Sequence, residues 1–223
     1  MNLKIDFCSY EAAKYAVMHW HYSRTMPAGK LFKLGVWEND KFIGSVIFGR
    51  GSNNNMSKMF NLKQTECVEL VRVALTKHKT PVSRIISICL KILRDNNKGL
   101  KCVVSYADLT NQGHVGIIYQ ASNWYYLGER KTDSGHIILN GKIVHKRTIS
   151  SKYGSHKNVP FKMINAKGQC KHLYAYALNQ SMKEKLNLIK KEYPKRATKA
   201  SAVSNSNAAV QSRPARSKIK KVM

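Results

Sequence analysis

Acidic residues are scarce in this chain: 12 Asp and Glu stand against 39 Lys and Arg, for a formal net charge of +27 over 223 residues. So one-sided a balance makes a polyanion the expected partner, nucleic acid first. No run of about eighteen apolar residues occurs, which excludes an apolar transmembrane helix. The opening MNLKIDFCSYEAA lacks the apolar stretch of a secretory signal. The five cysteines (Cys8, Cys67, Cys89, Cys102 and Cys170) are scattered and form no CxxC pair. That pattern excludes a cysteine-built zinc site and predicts free thiols in a reducing cytoplasm. Internal repeats are absent too, so a solenoid is excluded.

What remains is a chain that is 43% hydrophobic, enough to build one packed domain. Residues 9–20 read as a helix capped by Ser9, with Glu11 in the first turn. LFKLGVWE (31–38) and KFIGSVIFGRG (41–51) read as strands joined by Asn39-Asp40. ECVELVRVAL (66–75) is rich in β-branched residues and reads as a central strand. An apolar helix follows Pro81 and closes at Asn96–Gly99. KCVVSYAD (101–108) is a buried strand, HVGIIYQASN a short helix and WYYLGER (124–130) a strand. HIILNGKIVH (136–145) carries Asn140-Gly141 between two apolar runs, a strong hairpin signal. Residues 146–169 read as irregular, 171–178 as a strand and 182–193 as an exposed helix. The order predicts an α/β domain with a mixed central sheet over 1–193, followed by a disordered basic tail over 194–223.

Four places can carry chemistry. After ECVELVRVAL, the helix opening near Pro81 offers free backbone N–H groups among Lys77, Lys79 and Arg84, which suits a phosphate. The alternative is a solvated basic loop. In SYADLTNQGHVGIIYQASNWYYLG (105–128), Asp108 ends an apolar strand. It can orient a base, bind a metal or cap the next helix. Tyr119, Trp124, Tyr125 and Tyr126 are either core or a stacking surface for an extruded base. HWHYSR (19–24) sets His21, Tyr22, Ser23 and Arg24 side by side, where an imidazole can move a proton or hold a transition metal. Lastly, residues 134–172 hold eight Lys or Arg, four His and no acid. Such a stretch suits a phosphate backbone, gripped without sequence specificity.

In order along the chain, HWHYSRTMPAGK, LGVWENDKFIGSVIFGRG, ECVELVRVAL and SYADLTNQGHVGIIYQASNWYYLG resemble the Mom-like family of phage DNA adenine modification proteins, over roughly residues 10–180. The resemblance implies a GNAT-like (acetyltransferase-type) mixed sheet flanked by helices. It implies carbamoylmethylation of the exocyclic amine of adenine, protecting phage DNA from host restriction. It implies acetyl-coenzyme A, or a related acyl donor, and Fe(2+) as cofactors. Carried onto this sequence, it points to Asp108, His21, Tyr22, Ser23 and Tyr119 as catalytic residues, with His21, Tyr22 and Asp108 as iron ligands. Lys77, Lys79, Arg84 and Ser105 become cofactor-binding, although no Gly-x-Gly stands there. Arg24, Lys30, Lys146, Arg147 and Lys152 become DNA-binding. The implied partner is double-stranded DNA with a flipped adenine, in the host cytoplasm and away from membranes, with room for a homodimer. The alternative on the same fold is an N-acetyltransferase acting on a small-molecule or protein amine.

Overall fold

A computed structural model describes residues 2–51, 55–109, 113–132, 136–139, 142–145, 149, 153–154, 164–165 and 169–195. The chain divides into Met1–Tyr193 and Pro194–Met223, and the elements below all lie in the first unit. The basic tail expected after Pro194 lies outside the described residues beyond Lys195, as do the expected DNA contacts Lys146, Arg147 and Lys152.

The elements run β1 (Leu3–Phe7), α1 (Tyr10–Trp20), β2 (Leu31–Glu38), β3 (Lys41–Gly49), β4 (Cys67–Leu75), α2 (Val82–Asn96), β5 (Cys102–Asp108), α3 (Ile117–Gln120), β6 (Tyr125–Thr132), β7 (His136–Leu139), β8 (Lys142–His145), β9 (Ile164–Asn165), β10 (Gln169–Ala177) and α4 (Gln180–Ile189). Seven strands form one mixed sheet in the order β1-β2-β3-β4-β5-β10-β6, and β8-β7-β9 form a second, small sheet. Every pairing in the large sheet is antiparallel except β4 with β5.

Local chemistry explains most boundaries. Ser9 Oγ accepts from the Ala12 N–H at 3.1 Å and starts α1. Asn39 and Asp40 both adopt positive φ, 49° and 60°, as a two-residue hairpin turn with right-handed strand twist requires. In α2 the buried residues Ile85, Ile86, Cys89, Leu90 and Leu93 recur at helical spacing and form the stripe that covers one sheet face. The opposite face is shared: α1 packs on Ile47 and Ala74, whereas α4 packs Met182 and Leu186 on Cys102, Val104 and Leu173.

Some expectations shift. Leu3–Phe7 forms an edge strand on β2, a pairing too short to announce itself by pattern. The helix expected over 114–123 is confined to Ile117–Gln120, because Gly116 enters it with φ 81° and Asn123 leaves it with φ 61°. The last helix starts earlier, capped by Asn179 Oδ1 on the Met182 N–H, and ends at Ile189. From Lys190 the backbone is extended, and the Lys191 N–H donates to Tyr126 O at 2.8 Å along the edge strand β6. Within the stretch expected to be irregular, Ile164–Asn165 pairs with β7.

Leu90, 1% exposed, sits in the middle of the α2 stripe. Leu90→Ala should lower unfolding free energy by about 2–5 kcal/mol, read from denaturant unfolding, through lost burial plus a cavity.

Candidate active site

Strands β4 and β5 pair over only three rungs: Cys67 with Cys102, Val68 with Val103, and Glu69 with Val104. Beyond them β4 continues beside β3 and β5 continues beside β10, so the sheet opens into a cleft. Its floor is sealed by Ser105. A hydroxyl has one proton; Ser105 Oγ gives it to Leu70 O at 3.0 Å and so accepts from the Tyr119 hydroxyl at 2.8 Å.

A β-bulge aims the side chains along one wall. Ile47 pairs with Arg72 and Phe48 with Leu70, so Val71 is an extra residue in β4. The Arg72 guanidinium takes up the Val71 carbonyl at 2.7 Å. The same group donates to Thr25 O through Nε at 3.2 Å and Nη2 at 3.1 Å. It thereby moors the loop after α1 to the central strand. In that loop Arg24 holds φ at 44°, a costly conformation for a non-glycine residue, and its N–H donates to His21 O.

The His21 ring is fixed in one tautomer. Nδ1 accepts from the Ser23 N–H at 3.1 Å and lies 2.8 Å from Ser23 Oγ, so any ring proton sits on Nε2. Burial, and then the Arg72 charge, lower its pKa to about 4, leaving it neutral at pH 7. Tyr22 stacks obliquely on it, with ring centroids 4.3 Å apart, and is 61% exposed. Desolvation of the hydroxyl, then the Asp108 carboxylate, raise the Tyr22 pKa.

Glu69 stands at the last rung before the strands part. Burial raises its pKa to about 7 against the opposing pull of Lys171 and Arg72. Its carboxylate presses on Gly51, where an added Cβ would lie 2.0 Å from Oε2 and where φ is 67°. Alternation along β5 sends Val104, Tyr106 and Asp108 to the face that α4 covers. Lys171 lies directly opposite Asp108, and Arg130 opposite Lys171, so acid and base line up across three strands. Burial, and then the Glu69 charge, push the Tyr106 phenol up to about 12.

His21, Tyr22 and Ser23 thus come together, and Tyr22 comes within reach of the Asp108 charge. Arg24 and Lys30 are exposed nearby in sequence. Tyr119 is different. It is 7% exposed, packed against Trp124 and Tyr174, and its hydroxyl is spent on Ser105. It offers no free face to a base. Ser105, 1% exposed, is likewise a floor residue and not a cofactor contact.

The expected phosphate loop is filled from within. Glu38 Oε1 and Oε2 accept from the Lys79 N–H at 3.3 and 3.0 Å. Glu38 Oε1 also accepts from the Thr80 N–H at 2.8 Å and from Thr80 Oγ1 at 2.6 Å. Pro81, at the helix cap, has no N–H to give. Side chains Lys77, Lys79 and Arg84 are exposed around a loop whose Lys79 and Thr80 N–H groups already hold a carboxylate, so those two donors are not free for a coenzyme pyrophosphate. Iron fares no better. Among the described residues no three His, Cys, Asp or Glu side chains gather as metal ligands would, and His21 Nδ1 is engaged by Ser23.

Sequence reading missed Glu69, Arg72, Tyr106, Arg130 and Lys171. For the first two a signal existed: CVELVRVAL carries two charges inside a strand otherwise built for burial.

The model of the Mom protein family matches residues 2–195. The methylcarbamoylase mom of Escherichia phage Mu is 27% identical over 206 residues, spanning 87% of this chain and 84% of that protein. Among solved structures, an N-acetyltransferase from Staphylococcus aureus Mu50 superposes with a TM-score of 0.48 at 15% identity, covering 80% of this chain and 99% of that one. The ribosomal-protein-S18-alanine N-acetyltransferase from Escherichia coli also gives 0.48, at 9% identity, covering 80% and 96%.

The Glu38 latch has a measurable signature. Its hydrogen bonds hold the Glu38 pKa down at about 2, first through Thr80 Oγ1 and then through the Lys79 N–H. The carboxylate therefore stays charged at pH 4, and its contribution is lost only as pH falls toward 2. Amide exchange at Lys79 and Thr80 should be slow in the wild type at pH 4 and clearly faster in Glu38→Ala.

Proposed function

Because the chain belongs to the Mom protein family, we propose that it is a DNA-modifying transferase acting on the exocyclic amine of adenine in phage DNA. Its similarity to the phage Mu methylcarbamoylase supports a carbamoylmethyl-type adduct, with protection from host restriction as the benefit. A net charge of +27 favours a polyanionic substrate over a small-molecule amine. No helix among the described residues is long and apolar enough to cross a membrane.

The observation that carries the reading is Glu69 at the mouth of the β4–β5 cleft, with its pKa near 7. An amine on an aromatic ring is a weak nucleophile, because its lone pair is delocalised. It must lose a proton as its bond to the incoming group forms. A carboxylate poised near neutrality is suited to accept that proton. His21, with a pKa of about 4, is a weaker base and fits better as an Nε2–H donor to a ring nitrogen or carbonyl. The amine is paired inside a duplex, so adenine must leave the stack to reach the cleft. Exposed Tyr22, braced by His21, offers the ring on which it would lie. Lys171, opposite Asp108, and Arg130, opposite Lys171, supply positive charge for a phosphate or for the donor's anionic end. An acyl donor related to acetyl-coenzyme A would have to be held by groups other than the Lys79 and Thr80 N–H donors.

DNA from cells expressing the protein should yield a modified deoxyadenosine on digestion and mass spectrometry. Glu69→Gln should reduce that product at least ~100-fold while the protein stays folded. With purified protein the wild-type rate should climb with pH and level off above about 7, following the carboxylate form. Unmodified nucleosides from well-expressed wild type would sink the assignment; full activity in Glu69→Gln would sink the role of Glu69.

A further inference from the structure

One surface beside the cleft remains unexplained by packing. Helix α1 buries Ala13, Ala16 and Val17 against the sheet and turns a different row outward. Tyr15 is 51% exposed and Met18 41% exposed; the helix ends at Trp20, the backbone turns extended at His21, and the next residue, Tyr22, is again exposed. His19 completes the row. Its ring stacks on Tyr15 with centroids 4.1 Å apart, and its Nδ1 lies 2.8 Å from Tyr15 O. Tyr15 also meets Trp20 edge to face, at 5.4 Å between centroids. The result is a pre-ordered aromatic and thioether strip on the last turns of α1, which the chain follows directly with the His21–Tyr22 corner. Large apolar side chains grouped in this way on a highly charged protein mark a contact surface.

We infer that this outward face of α1 is where the DNA next to the displaced adenine lies, with Tyr15, Met18 and His19 packing on bases or sugars exposed by the displacement. The inference rests on the DNA-modifying reading above and adds a binding surface to it. Charge favours DNA over a protein partner: Lys14 lies on the same outward side, and exposed Arg24 and Lys30 follow the helix. The acid Glu11 sits in the first turn, at the helix end farther from the cleft. Ring stacking suits a partner whose sequence is read elsewhere, because every base presents a π-face. Apolar side chains that fill the gap left by an extruded or kinked step are a known way to stabilise such a duplex.

The test uses the full chain and a mixed-sequence DNA duplex. Tyr15→Ser combined with Met18→Ser removes the strip without changing net charge, and both side chains are surface groups, so thermal unfolding should stay close to wild type. Affinity should fall about tenfold at fixed salt, while the slope of log K against log salt stays as in wild type, because no phosphate contact is lost. Lys14→Ala should do the reverse, flattening the slope with a smaller loss. Unchanged affinity in the folded double variant would overturn the inference. So would a change from dimer to monomer in sedimentation with DNA binding intact, since the face would then meet a second copy. Nucleoside analysis of the wild type separates the two levels: lack of modified adenosine undermines the reaction, whereas the binding data judge the surface.

Discussion

A single guanidinium holds the cleft in shape. The bulge in β4 leaves the Val71 carbonyl without a ladder partner, and the loop after α1 leaves the Thr25 carbonyl facing it. Arg72 satisfies both. Because the guanidinium is planar and cannot lose its proton at neutral pH, the mooring is rigid and permanently charged. His21, oriented by Ser23, is kept neutral by burial first and then by the same positive charge, which opposes its protonation. The bulge itself gives β4 the extra residue that re-aims the strand as it leaves β5.

Placing Glu69 at that parting costs stability. An acid with a folded pKa of about 7 binds more protons native than unfolded, over the window between its ordinary value of 4.5 and about 7. Stability contributed by this group therefore falls as pH rises through that window, the opposite of an ordinary paired carboxylate. Catalytic carboxylates elsewhere make the same exchange of stability for a proton acceptor matched to neutral pH. Gly51 is part of that arrangement, because a side chain there would collide with the carboxylate.

The two ends of the cleft are built differently. At the β5–β10–β6 side, one acid, Asp108, is followed across neighbouring strands by two cations, Lys171 and Arg130, a pattern that leaves net positive charge for an incoming anion. At the α2 side, Glu38 occupies the backbone donors of Lys79 and Thr80. An internal carboxylate there tightens the end of β2 onto the loop before α2 and takes two of the donors that precede the basic helix start. Sequence alone shows Lys77, Lys79 and Arg84; it does not show that the Lys79 and Thr80 N–H groups are taken.

Charge balance, the strand and helix order and the corner HWHYSR were all legible in the chain, because each rests on local composition or period. The α2 stripe, the Asn39-Asp40 turn and the Ser9 cap follow from neighbours a few residues apart. Tyr119 was misjudged for a physical reason: a tyrosine beside a polar turn looks the same whether its hydroxyl meets Ser105 in the core or a ligand in a cleft. Lys171 lies far from Glu69 and Arg72 in sequence, and the roles of all three arise only when β4 bulges, parts from β5, and β10 enters beside β5. Register and burial are properties of the assembled sheet. They turned a carboxylate in an apolar strand into a near-neutral base and a lysine-rich loop into a closed latch.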